Sequence, residues 1–125
     1  EIGMVMMVPA GRTRVVQEDI TGRDWLVAGL EGQPVLSASR ITLNFGADGR
    51  ISGNASCNAF TGSYKVNNSQ IYIGPLALTR KACVPPLMEQ ERAFIDLLEK
   101  VSQLQIDESG TLTISGADGE TLTAR

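Results

Sequence analysis

The stretch Gly53-Asn-Ala-Ser-Cys-Asn-Ala-Phe-Thr-Gly-Ser-Tyr64, taken with Thr79-Arg-Lys-Ala-Cys83, holds both cysteines of the chain and decides how the rest is read. Gly, Asn, Ser and Thr are denser here than a plain strand requires. Glycine reaches backbone conformations closed to other residues, and Asn, Ser and Thr side chains bond nearby backbone groups at turns and corners. The two pieces therefore read as one irregular corner between strands. Its candidates for a binding or structural role are Asn58, Thr61, Tyr64, Thr79 and Arg80. The preferred reading is that the polar ones satisfy buried backbone groups; a recognition surface is the alternative.

Outward from the corner the chain alternates. Upstream, Asp24 to Leu30 places Trp25 and Val27 on one face and Leu26, Ala28 and Leu30 on the other, then meets the turn pair Glu31-Gly32. Ser39 to Phe45 sets Ile41, Leu43 and Phe45 against Thr42 and Asn44, the period of two expected of a half-buried strand. Asp48-Gly49 turns it into a strand over Arg50 to Gly53. Downstream, Thr61 to Val66 and Gln70 to Ile73 flank Asn67-Asn-Ser69 as a second hairpin, and Leu76 to Thr79 runs up to the second cysteine. Strands over Gln103 to Asp107, Thr111 to Ser115 and Glu120 to Ala124 follow around two more Gly-containing turns. One segment departs from alternation. Leu87, Met88, Glu91, Phe94, Ile95, Leu98 and Val101 recur at intervals of three and four, predicting an amphipathic helix over about Pro86 to Ser102. Pro86 suits an early helical position, and Glu89 and Glu91 lie toward the positive end of the dipole. The expected class is α+β: a strongly curved, barrel-like, mainly antiparallel sheet of six to eight short strands with one amphipathic helix, closed so that few edges stay bare.

The chain has 125 residues, 42% apolar and 20% charged, with a net charge of −3. That size and composition suit a single globular domain. Residues 20–125 are expected to form it. Residues 1–19 form an N-terminal segment, an edge strand or the remnant of a preceding region, with an apolar strand over Ile2 to Val8 and a brief strand at Arg14 to Gln17. The absence of a basic cluster argues against nucleic-acid binding, and the longest apolar run is far short of the roughly 20 residues that cross a bilayer.

Ser-Cys-Asn-Ala-Phe-Thr-Gly-Ser-Tyr at Ser56 to Tyr64, then Thr-Arg-Lys-Ala-Cys at Thr79 to Cys83, then a helix carrying Glu91 and Phe94, resembles the META domain family. The resemblance runs from about Thr21 to Arg125 and includes Trp25 and the hairpin of Leu112. Two positions depart from the family pattern: Ser56 stands where Gly commonly precedes the first cysteine, and Lys81 where an apolar residue is usual. The first bears on the backbone, since Ser takes a left-handed conformation less readily than Gly. The resemblance implies a compact sheet-and-helix barrel, exported to the periplasm or anchored by lipid to the outer membrane of a Gram-negative bacterium. It also implies a link to heat-shock or drug-resistance responses, and no established catalysis. For Cys57 and Cys83, 26 positions apart in an exported family, a disulfide is the leading reading and two free buried thiols the alternative.

With no His in the chain, a Ser-His-Asp or Cys-His arrangement is excluded, and bridged cysteines leave no thiolate nucleophile. Two cysteines alone do not complete a zinc site. No catalytic residue, metal or cofactor is expected. The function expected is a non-catalytic envelope domain, monomeric, that binds a protein partner through the barrel mouth or a strand edge. The alternatives are a carrier holding a small apolar ligand inside the barrel, and an inhibitor of an envelope enzyme. Membrane attachment is expected only through a lipid anchor preceding Glu1.

Overall fold

The computed structural model describes residues 14–125. The apolar strand expected over Ile2 to Val8 lies outside the described residues. The strands are β1 (Asp24–Leu30), β2 (Gln33–Pro34), β3 (Thr42–Phe45), β4 (Arg50–Asn54), β5 (Ala59–Asn67), β6 (Gln70–Ile73), β7 (Ala77–Leu78), β8 (Val101–Ile106), β9 (Leu112–Gly116) and β10 (Thr121–Ala124), with one helix, α1 (Pro85–Leu98), between β7 and β8.

Turn chemistry sets the register. Three hairpins share one design: a backbone N–H donates back to the fourth residue on, and a Gly at positive φ closes the loop. In the first, Gly46 N–H donates to Arg50 O (2.8 Å) and Gly49 N–H to Gly46 O (3.1 Å), with φ of Gly49 at 85°. The pattern repeats at Asp107 to Thr111 and at Gly116 to Glu120. Two other hairpins use two-residue turns with both residues left-handed, Glu31-Gly32 (50°, 82°) and Asn68-Ser69 (49°, 70°).

The sheet closes. Its order is β1-β3-β4-β5-β6-β8-β9-β10, and β10 pairs back onto β1, making an eight-stranded antiparallel barrel; β2 adds to β1 and β7 to β5. The expected curved α+β sheet is thus a complete barrel. Alternation predicts the inner faces except at two places. In β8 the register on β9 shifts between Val101 and Gln103, so Val101 is buried along with Leu104 and Ile106 despite its opposite parity. In β1 the break is at Leu30. Leu30 is buried beside Trp25 and Val27, although its parity matches exposed Leu26 and Ala28. The cause is a bulge: the register on β10 shifts between Val27 and Gly29, and the extra residue turns Leu30 inward.

The barrel interior is filled. Trp25, Phe45, Phe60, Ile41, Leu43, Ile51, Leu112 and Ile114 are fully buried in one cluster with Phe94 and Leu98 of α1, and Phe60 meets Phe94 edge-on at 5.5 Å. The helix starts with Pro85 and Pro86, where missing N–H groups cost nothing. It ends at Leu98, short of the expected Ser102. Glu99 N–H closes on Ile95 O, and Val101, which fits the helical spacing, instead begins β8 opposite Gly116. A β-branched residue with a waiting strand partner favours the sheet. The strand expected at Arg14 to Gln17 is absent; Gln17–Asp19 form a single 3-10 turn. Val15 nevertheless docks on the β5–β6 turn, exchanging bonds with Ser69 (2.7 and 2.9 Å), and Trp25 Nε1 donates to Ile20 O at 3.0 Å.

Candidate functional site

Between β4 and β5 the chain turns a corner at Ala55–Asn58, where Ala55 N–H donates to Asn58 O at 2.7 Å. To make it, Ser56 adopts φ 94°, the left-handed backbone that the resemblance placed at a usual glycine. Its Oγ accepts a bond from Ser39 Oγ at 2.8 Å. Cys57, next in line, is bonded to Cys83, which fastens the corner to the loop that launches α1. Beneath the bridge sits the only pair of polar residues buried among the described ones, Asn58 (3% exposed) and Glu91 (7%).

The side chains of these two residues tie the corner to the loop before α1 and to the helix itself. Glu91 Oε1 accepts from the backbone N–H of Cys57 (3.2 Å) and of Asn58 (2.6 Å), and Oε2 from Asn58 Nδ2 (2.9 Å). Asn58 Oδ1 accepts from Lys81 N–H (2.6 Å) and Thr79 Oγ1 (2.9 Å), while Nδ2 also donates to Lys81 O (3.3 Å). Thr79 Oγ1 in turn accepts from Ala59 N–H at 3.1 Å. A buried carboxylate is costly unless its oxygens find donors, and here Oε1 has two and Oε2 one. Glu91 does not serve the helix dipole as expected. It lies beyond the first turn and binds the corner instead. At Lys81 the corner uses backbone N–H and C=O, so the departure from an apolar residue leaves this network intact and puts an exposed ammonium beside it.

The expected constellation is only partly assembled. Asn58 and Thr79 are in contact, and Arg80 follows them, exposed. Thr61 lies out on β5, exposed, between Ser52 and Ala77. Tyr64 belongs to packing further along β5: its ring meets Phe45 edge-on at 5.1 Å and its hydroxyl donates to Gly46 O at 2.7 Å. Burial raises the Tyr64 pKa above its ordinary value, a bond with Gln17 pulls it down, and the Asp48 charge raises it.

Two open grooves flank these features. One, of about 690 Å³, runs between β7 and α1 and is lined by Leu76, Leu78, Arg80, Lys81, Met88 and the Asn58–Glu91 pair. The other, of about 790 Å³, is lined by Gln17, Asp48, Tyr64, Lys65, Tyr72 and neighbours. Among the described residues no cluster of three or more His, Cys, Asp or Glu is placed to hold a metal, and no helix is long and apolar enough to cross a membrane.

The META domain family model matches residues 18–125. The chain is 29% identical over 122 residues to heat shock protein HslJ of Escherichia coli strain K12, covering 96% of this chain and 85% of that protein. A solved NMR structure of a protein from Burkholderia xenovorans superimposes with a TM-score of 0.75 at 22% identity, covering 98% of this chain and 93% of that one, which shows a shared fold. A second NMR structure gives a TM-score of 0.71 at 29% identity over 89% of this chain and 94% of its own. With the barrel, the bridged corner and a family match from residue 18 to the last residue, this chain belongs to the META domain family.

Proposed function

We propose that the chain is a non-catalytic domain of the bacterial envelope that binds a protein partner and serves a stress- or drug-resistance-associated role. The observation that carries this reading is how the corner uses its polar groups. Glu91, Asn58 and Thr79 bond one another and the backbone, both cysteines are in the bridge, and the chain has no imidazole. No nucleophile with a base beside it is left there for covalent chemistry. Surface grooves are then the places where a ligand can act. The packed interior weighs against a carrier of small apolar ligands, which needs a cavity of roughly 300 Å³ or more within the barrel. Export to the periplasm or outer membrane is supported by the disulfide, since such bridges persist in oxidising compartments. The name of the HslJ relative supports a role under heat stress.

The test is co-purification of the disulfide-bonded domain with a partner from envelope extract of heat-stressed cells, followed by reconstitution from purified components. A one-to-one complex that re-forms from the two pure proteins is the expected result. A co-purifying lipid with no protein partner would overturn it in favour of the carrier.

A further inference from the structure

β7 is the one strand of the sheet that hangs off the barrel wall beside α1. Among the described residues it pairs with β5 and with no other strand. Thr79 N–H donates to Ala59 O at 3.0 Å, so the Ala59–Thr79 pair is hydrogen-bonded, and the antiparallel rule makes the next pair, Phe60 and Leu78, a non-bonded one. The N–H and C=O of Leu78 therefore point away from β5, along the outer edge of β7. Across the groove stand Met88 and Ile95, which with half-buried Leu78 make an apolar floor. Met88 and Ile95 are two turns apart, about 10 Å along the helix, the length of about three extended residues.

The rim above that floor is cationic at its β7 side. Arg80 and Lys81 line it there, and neither has a carboxylate partner among the described residues, whereas on the helix side Arg92 stands among Glu89 and Asp96. The Glu91 carboxylate is occupied by the amides of Cys57 and Asn58, and Asp96 lines only the part of the groove away from Arg80 and Lys81. A strand edge facing a helix across an apolar slot is a recurring way to bind an extended peptide: main-chain bonds hold it, and alternate side chains select it.

We propose that an extended acidic peptide segment docks here, adding to β7 as a strand. It seats one apolar side chain on Leu78, Met88 and Ile95 and turns a carboxylate toward Arg80 and Lys81. This rests on the binding-module reading and assigns its site and the chemistry of its partner.

The test pans a display library of random dodecapeptides on the disulfide-bonded protein and follows the enriched peptide, made synthetically, by amide NMR and fluorescence anisotropy. The expected peptides carry Asp or Glu two residues from an aliphatic residue. Shifts concentrate at Ala77 to Lys81 and Met88 to Asp96, and the Leu78 amide gains protection from hydrogen exchange. The double variant Arg80→Glu/Lys81→Glu, both exposed and so expected to melt like the parent, weakens binding at least tenfold, as does Ala for the acid of the peptide. Failure of any peptide to enrich, unchanged affinity of the double variant, or shifts confined to the Lys65–Tyr72 groove would each overturn the assignment. The last of these leaves the binding-module reading standing, whereas that reading falls only if co-purification also yields no partner.

Discussion

Replacing Glu91 by Ala tests whether the corner is held by the network or by the disulfide alone. Truncation removes the acceptor of three N–H groups: backbone Cys57, backbone Asn58 and the Asn58 side chain. The Asn58 amide retains Lys81 O, so the two backbone donors are left orphaned. Each orphaned buried donor costs about 1–3 kcal/mol, giving about 4 kcal/mol for the pair. For a domain of this size that is a fall in melting temperature of roughly 10–20 °C. Glu91→Gln keeps shape and one acceptor but aims an NH2 at a donor, and about 2 kcal/mol is expected, the worth of a bond to a charged group. Thermal and urea unfolding by circular dichroism, with the bridge kept oxidised, measures both. A cycle with Asn58→Ala should show coupling of about 1–3 kcal/mol. If Glu91→Ala unfolds within about 1 kcal/mol of the parent, water serves those amides as well as the carboxylate does, and the network explains nothing about stability.

Four further outcomes are expected. Unfolded, unreduced protein from an oxidising compartment should contain no reactive thiol, and Cys57→Ala/Cys83→Ala should lose about 3.5 kcal/mol, the chain-entropy value for a separation of 26 residues. Ser56→Gly should be more stable than Ser56→Ala by about 0.5–1 kcal/mol in denaturant melts, because both lose the Ser39 bond but only Gly relieves the left-handed backbone; equal stabilities would show no strain at φ 94°. Gly53→Ala should cost about 3 kcal/mol or more by the same melts, since a Cβ there would collide with the Thr42 carbonyl where β4 passes it. Tyr64 has a raised folded pKa, so its contribution is fully present below the unfolded value of 10.0 and is lost as pH rises through the folded one. Stability should therefore decline above about pH 10 in the parent, and less steeply in Tyr64→Phe.

The strands were legible because their physics is local. A period of two, broken by Asp-Gly, Asn-Ser and Ser-Gly pairs, is enough to place β1 and the hairpins to within about three residues, the widest miss being Ser39 for the start of β3 at Thr42, and the bulge that buries Leu30 is the kind of irregularity no periodicity announces. The end of α1 was illegible for the opposite reason. Val101 satisfies the helical spacing as well as the strand, and only the presence of β9 with Gly116 decides between them. Arg14 to Gln17 offered only the pair Val15-Val16 as a brief strand, yet its partner is the β5–β6 turn and not a strand, so no ladder forms.

The site divides along the same line. Asn58 and Thr79 could be singled out because they flank the cysteines, but Glu91 sits 33 positions beyond Asn58 on a helix where a carboxylate looks like an ordinary exposed charge. What the sequence did carry was the family spacing that includes Glu91, a hint that the position matters without a hint of why. The geometry supplies the reason: an irregular corner that exposes two backbone N–H groups inside the fold needs an acceptor from elsewhere, and a helix crossing beneath it delivers one. That same constraint places α1 next to β7. Leu78, Met88 and Glu91 line one groove, so the carboxylate that ties the helix to the corner stands in the same slot as the β7 edge. The interaction that holds the corner therefore borders the proposed peptide slot, and loosening it through Glu91→Gln should weaken peptide binding at β7 even where the protein remains folded.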